Sequence, residues 1–283
     1  MLFEKMHGLG NDFIVVDDRD AAPVDWPALA RRVCRRATGI GADGILLIQE
    51  SGSADLRMRL INADGSEAEM CGNGVRCLAA YVADHGIAGE RVVWETGAGR
   101  VVTERGGTLV SVDMGPPRFH PREIPVDLAG DRAIDVPLEL DGEQLRINCL
   151  SMGNPHCVIV VDDIDRFPLE RIGPRLGSHH LFPRQTNVEI VQVMSRTRMR
   201  QRTFERGVGE TNACGTGACA VAVAGQVLGL CDTPVEVRLR GGSLHIAWSP
   251  GESVHMTGPV ERVFTGHLQL QPAERLPVGS RPG

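Results

Sequence analysis

Two stretches of the chain follow one plan. "AEMCGNGVRCLAAYVADHG" (residues 68–86) and "TNACGTGACAVAVAGQVLG" (residues 211–229) each set a cysteine before Gly-x-Gly and continue into an apolar run. Superposing Cys71 on Cys214 shifts the chain by the 143 residues that separate them, and other features then align without a gap. Gly10-Asn11 lands on Gly153-Asn154, Val15 on Val158 and Gly86 on Gly229. Arg57 and Arg59 land on Arg200 and Arg202, and polar Asn62 falls opposite Glu205, nine residues before each cysteine. Matches spread over so long a shift predict repeated structure, two halves of similar order.

Each half reads as strand, strand, helix, strand, strand, one long helix, then more strands. Apolar alternation predicts strands near 2–7, 13–17, 45–49, 56–62 and 91–95 in the first half, with helical periodicity over 24–36 and 72–85. In the second half the strands fall near 157–161, 188–193, 199–205, 235–239 and 244–248, and the long helix covers 215–226. The segment from about 115 to 142 is proline-rich at its start and reads as a connection without helix. The tail after Gln271 reads as frayed. These readings divide the chain into 1–117, carrying Cys71, and 118–262, carrying Cys214. Residues 263–283 supply a final strand returning to the first half, plus the tail. Both long helices are small and apolar nearly all round, as a helix enclosed by sheet would be. The expected fold is α+β: two pseudo-symmetric halves, each a mixed β-sheet or barrel wrapped around a central helix. If a pseudo-twofold axis relates the halves, their cysteine turns face each other across a cleft.

Composition excludes several functions. The net charge of −6 disfavours nucleic acid, whose phosphates want a basic surface. No apolar run approaches the roughly 20 residues of a membrane helix, and the start lacks a signal segment, so a cytoplasmic protein is expected. The eight cysteines contain no C-x-x-C pair and the nine histidines no H-x-x-x-H pair, so neither metal ligation nor thiol redox chemistry is indicated. Cys34, Cys149, Cys157 and Cys231 read as small buried hydrophobes. Cys77 and Cys219 fall on other helix faces than the turn cysteines and read as core. No motif suggests pyridoxal phosphate, and no cofactor is expected.

The cysteine turns carry the chemistry. A helix N-terminus presents unpaired N–H groups and about half a positive charge, and the glycines let a ligand approach that backbone closely. Such a turn binds a carboxylate, and it is expected to lower the adjacent thiol's pKa toward neutrality, making a usable base. Two turns on one carboxylate place a thiol on either side of the attached carbon. One abstracts a proton, the other delivers one, and the stereocentre inverts.

"MHGLGNDF", "NADGSEAEMCGNG", "SMGNPH", "ERGVGETNACGTGACA" and "MTGP" together resemble the diaminopimelate epimerase family over essentially residues 1–265. The resemblance implies cofactor-free conversion of LL-2,6-diaminopimelate to the meso isomer, with Cys71 and Cys214 as the acid/base thiols. It assigns the reacting α-carboxylate to Gly72, Asn73, Gly215 and Thr216, and the distal amino-carboxylate to Asn11, Asn62, Asn154, Asn187 and Arg206. It sets His156 and Glu205 beside the thiols to tune them, Glu205 also bordering substrate, and puts Phe264 at the contact of a homodimer. The chain departs from the family at Gly44, where some members carry a substrate-touching glutamine. Singly, these residues have plainer readings: His156 as a structural histidine, Asn11 and Asn62 as turn residues, Arg206 as a solvated charge. The alternative activity is a two-thiol racemase of proline or hydroxyproline, which would leave Arg206 and the asparagines nothing to grip.

Overall fold

A computed structural model describes residues 1–20 and 23–276 of the chain. The backbone forms two compact units, Met1–Val112 together with the segment from Gly258, and Asp113–Thr257. The first holds β1 (Leu2–Gly8), β2 (Asn11–Asp17), α1 (Trp26–Val33), β3 (Gly44–Gln49), β4 (Leu56–Asn62) and the two-residue β5 (Glu67–Ala68). It continues through α2 (Gly72–Asp84), β6 (Arg91–Thr96), β7 (Gly99–Gly106) and β8 (Leu109–Asp113). The second holds a 3₁₀ turn (Pro121–Glu123), β9 (Ala133–Leu140), β10 (Glu143–Ser151), β11 (Pro155–Val160), α3 (Leu169–Gly177), β12 (Asn187–Ser195) and β13 (Arg198–Glu205). There follow β14 (Gly209–Thr211), α4 (Gly215–Val227), β15 (Val235–Leu239), β16 (Gly242–Ala247) and β17 (His255–Pro259), before β18 (Glu261–His267) and a 3₁₀ turn (Pro272–Glu274) return to the first unit.

Strand pairing repeats. In the first unit β18, β1, β2, β3, β4, β6, β7 and β8 lie side by side; β2–β3 and β4–β6 are parallel and the other neighbours antiparallel. The second unit lines up β9, β10, β11, β12, β13, β15, β16 and β17, parallel at β11–β12 and β13–β15. Register repeats too. Phe13 pairs with Gly44 as His156 pairs with Asn187, and Leu46 with Leu60 as Glu189 with Thr203. Even the forked ion pairs recur, Arg59 to Glu67 and Arg202 to Glu210, each with Nε–Oε1 at 2.8 Å.

Each sheet is covered by a helix on both faces. Within the first unit α2 packs on β1, β2, β3, β4 and β7; within the second α4 packs on β10–β13, β15 and β16. The opposite faces bury Trp26, Leu29 and Val33 of α1 against Ile14, Ile45 and Ile61, and Leu169, Ile172 and Leu176 of α3 against Ile147, Cys157 and Ile190. Each such aliphatic side chain contributes about 1.5–3 kcal/mol by leaving water. This is the expected α+β fold of duplicated sheet around helix.

Two readings need correction. The segment 115–142 is not all connection, because it carries β9, whose Pro137 sits opposite Arg146 of β10. Proline is tolerated in a strand where its missing N–H costs no ladder bond. The tail after Gln271 is not frayed through Leu276. Glu274 is only 4% exposed, and its Oε2 accepts from Arg32 Nη2 at 2.8 Å and from the Gln271 N–H at 2.8 Å. The remainder of that reading, 277–283, lies outside the described residues. No helix among the described residues is long and apolar enough to cross a membrane.

Candidate active site

Each long helix begins at a cysteine. Cys71 (φ −143°, ψ 117°) and Cys214 (φ −116°, ψ 106°) are extended N-caps, and helical backbone starts at the glycine that follows. Cysteine is not a favoured cap, so its presence at both starts argues for chemistry. Cys214 Sγ accepts the Gly217 N–H at 3.4 Å, a sulfur cap, whereas Cys71 is half-buried and donates to Asn11 Oδ1 at 3.5 Å. Cys34, Cys77, Cys149, Cys157, Cys219 and Cys231 are buried, as small hydrophobes would be.

In the first unit Asn11 stands on the cysteine turn. Its hairpin loop, Leu9-Gly10, has φ of +58° and +83°, the pair of positive angles a two-residue type I′ connection requires. Leucine resists that conformation, and burial of its side chain holds it there. Asn11 Oδ1 accepts from Asn73 Nδ2 at 3.2 Å, and Asn11 Nδ2 donates to Asp43 Oδ2 at 2.6 Å. Asp43 is fixed by Arg36, whose Nη2 lies 2.7 Å from carboxylate oxygens of both Asp43 and Asp12. Burial opposes charge on Asp12, but Arg36 and Lys5 outweigh it and hold that carboxyl below its usual range. Asn62 closes the "NADGS" turn, donating from Nδ2 to Ser66 Oγ at 2.9 Å. At Gly44 an added Cβ would stand 2.7 Å from the Ile61 carbonyl oxygen, so β3 and β4 would have to separate to admit any side chain there.

In the second unit the equivalent asparagine, Asn154, donates from Nδ2 to Thr216 Oγ1 at 3.3 Å, repeating the Asn11–Asn73 contact. Its Oδ1 faces His156 Nε2 at 3.0 Å, and His156 Nδ1 faces Glu189 Oε1 at 2.8 Å, the imidazole and the carboxylate both being fully buried. Asn187 Oδ1 accepts the Arg206 N–H at 2.9 Å, while the exposed Arg206 guanidinium donates from Nη1 to the Arg184 carbonyl at 2.9 Å. Glu205 accepts from Thr211 Oγ1 at 2.5 Å. Burial raises the Glu205 carboxyl above its usual range, the Glu189 charge adding to it, while Thr211 and Cys214 oppose as hydrogen-bonding neighbours.

One expectation fails at Cys214. The helix N-terminus does not bring this thiol toward neutrality. Burial pushes it well above the usual thiol range, with Glu205 and then Glu189 adding to the effect, against the Thr216 hydroxyl and the Gly217 N–H. At 5% exposure the thiolate loses most of its water, and two nearby carboxylates outweigh half a helix charge.

Within each unit, then, Cys71, Gly72, Asn73 and Asn11 come together, as do Cys214, Gly215, Thr216, Asn154, His156 and Glu205. Phe264 stands apart on β18, 45% exposed, with its ring edge-on to Phe3 at 5.9 Å. The sequence reading passed over Glu189 and the buried Gln201 and Thr203 on the inner face of the second sheet. The shift of 143 residues would have exposed them, since it sets them against Leu46, Met58 and Leu60. Among the described residues no three His, Cys, Asp or Glu side chains are grouped as metal ligands would be.

The diaminopimelate epimerase of Moorella thermoacetica is 51% identical over 278 residues, spanning 95% of this chain and 100% of its own length. That of Pelotomaculum thermopropionicum is 48% identical, spanning 94% and 98%. Among solved structures, a phenazine biosynthesis protein of the PhzF family from Bacillus anthracis superposes with a TM-score of 0.70 at 17% identity, covering 95% of this chain and 99% of that one. A hydroxyproline epimerase from Agrobacterium vitis gives 0.64 at 15%, covering 94% and 91%. These two share the fold. The sequence profile described as diaminopimelate epimerase matches residues 3–120 and 148–263, taking in both cysteine turns and the residues gathered on them. With two glycine-flanked thiols capping the central helices of a duplicated fold, and half its residues shared with a full-length relative, the chain belongs to the diaminopimelate epimerase family.

Proposed function

We propose that the chain converts LL-2,6-diaminopimelate to meso-diaminopimelate by two-thiol proton transfer at the α-carbon, without a cofactor, in the cytoplasmic supply of lysine and cell-wall precursor. The carrying observation is the repeated cysteine N-cap, each with an asparagine hydrogen-bonded to the second residue of its helix. The N–H groups following Cys71 and Cys214 bind the α-carboxylate, Asn73 and Thr216 adding side-chain contacts. Asn11, Asn62, Asn154, Asn187 and Arg206 hold the distal amino-carboxylate, while Glu205 borders substrate beside Cys214. Cys214, pushed up by burial and two carboxylates, rests as the proton donor; Cys71 is the partner base. Donors aimed at the carboxylate stabilise the charge that develops as the α-proton leaves. The test is direct: purified protein with LL-diaminopimelate, product isomers resolved by chromatography, and L-proline as the control. Turnover of proline in place of diaminopimelate would transfer the assignment to the rival racemases.

Two further results are expected. Arg206→Lys keeps the charge but loses the planar fork that grips a carboxylate with two parallel bonds, so KM for diaminopimelate should rise about tenfold or more. An unchanged KM would return Arg206 to the solvent. The exposed Phe264 and Val263 on β18 are proposed as a homodimer contact. Light scattering at micromolar concentration should give twice the chain mass, falling toward one chain in Phe264→Asp; a wild-type monomer would remove the contact.

A further inference from the structure

The inner face of the second sheet carries four buried polar side chains beneath the Cys214 turn, His156, Glu189, Gln201 and Thr203, none more than 3% exposed. Their counterparts in the first unit, by sequence shift and by strand register, are Phe13, Leu46, Met58 and Leu60, all buried. The fold fills these places with apolar side chains, so packing does not ask for polarity there. A buried carboxylate and imidazole are costly even when paired. The second unit retains them where the first does not.

What they touch leads to the thiol. Glu189 Oε1 meets His156 Nδ1 at 2.8 Å, His156 Nε2 meets Asn154 Oδ1 at 3.0 Å, and Asn154 Nδ2 donates to Thr216 Oγ1 at 3.3 Å. Thr216 Oγ1 lies 3.5 Å from Cys214 Sγ. A Cβ placed on Gly217 would stand 2.8 Å from Glu189 Oε1 and 3.2 Å from Cys214 Sγ, so carboxylate and thiol border the same small space that glycine leaves. The corresponding point on Gly74 meets Leu46 and the Cys71 Cβ. Among the described residues Glu189 Oε2 has no hydrogen-bond partner.

We infer that Glu189 is a positioning residue for Cys214: through His156 it fixes the Asn154 amide and the Thr216 hydroxyl, and its charge keeps the adjacent thiol protonated as the resting proton donor. The inference rests on the two-thiol reading and explains how a duplicated site comes to hold two unlike thiols. Among the described residues, the carboxylates acting on Cys214 are Glu205 from β13 and Glu189 from β12, with His156 of β11 lying between Glu189 and Asn154. The direction of the Cys214 shift, in which the Glu189 charge takes part after burial and Glu205, agrees.

The test is the pH dependence of iodoacetamide labelling, read separately for the Cys71 and Cys214 peptides by mass spectrometry. Wild type is compared with Glu189→Gln and with His156→Phe/Glu189→Leu, which installs the first unit's apolar pair. In Glu189→Gln the Cys214 midpoint should fall by about one pH unit or more, the Cys71 midpoint should stay, and kcat should drop about tenfold or more. The double variant should melt near wild type, show the same lowered Cys214 midpoint, and turn over poorly. If Glu189→Gln does not fold, the double variant's labelling decides. A Cys214 midpoint unmoved in the folded variant overturns the inference, because a merely structural Glu189 would leave it in place. The labelling shift with no epimerisation by wild type would instead overturn the proposed function and with it the proton-donor role, while the coupling of Glu189 to Cys214 would stand.

Discussion

Alanine at either Cys71 or Cys214 is expected to abolish epimerisation, a loss at or beyond the roughly 10²–10⁴-fold typical of a single acid–base group. With one base, the abstracted proton could return to either face from the same group. With two, the delivered proton comes from a thiol that last exchanged with solvent. Wild-type protein given LL-diaminopimelate in D₂O should therefore form early product deuterated at the inverted carbon, while recovered substrate stays mostly unlabelled. Both alanine variants should fold. Cys71 is half-buried and lends little to the core. Cys214 is more enclosed, and losing its sulfur removes one cap contact to Gly217. Unlabelled product at low conversion, or near-normal turnover in either variant, would be incompatible with the mechanism.

A second large effect is expected from one methyl group. Gly217→Ala puts a Cβ 2.8 Å from Glu189 Oε1, 3.0 Å from Gln201 Nε2 and 3.2 Å from Cys214 Sγ. All three groups are buried, so none can swing into solvent. Overpacking of this kind costs about 1–3 kcal/mol, and displacing a reacting sulfur by even part of an ångström can cost about 10²-fold in rate. Gly74→Ala is its internal control. There the added methyl stands 3.0 Å from Leu46 Cδ2, the mobile end of an aliphatic side chain. Thermal melts and kcat should show Gly217→Ala losing about 100-fold in turnover and several degrees, with Gly74→Ala much closer to wild type. Equal behaviour of the two would mean the crowding beneath Cys214 is relieved without consequence.

The sequence made some elements plain and hid others for identifiable reasons. Residues 56–62 and 235–239 alternate cleanly, and the strands there begin and end as expected. The long helices announce their starts through glycine after cysteine. By contrast, "LERIGPRLG" carries Gly173 and Pro174 and looks unlike a helix, yet α3 forms because Leu169, Ile172 and Leu176 are enclosed by the sheet and Phe204 needs the space at Gly173. Tertiary packing overrides propensity there. Strand β9 was hidden by Pro137 and by Asp135, whose φ of +57° interrupts the extended run. At the site, the thiols and the residues on their turns could be read along the chain. The protonation of Cys214 could not, because burial and carboxylates from neighbouring strands set it, and only folding brings these together.

The eight-strand row of the first unit opens with β18, in the place β9 takes in the second. The order of synthesis therefore runs against the order of completion. Everything the second unit needs lies in one unbroken stretch, Asp113–Thr257, whereas the first must wait for residues 261–267. At about 5–20 residues per second, the portion made earliest spends on the order of 10–50 s with the outer ladder of β1 unfilled. An unfilled ladder is an invitation to foreign strands. A chain cut short before Glu261 would carry a finished second unit and leave its first without its closing strand, so the half that is begun first is the one that depends on the chain's being finished.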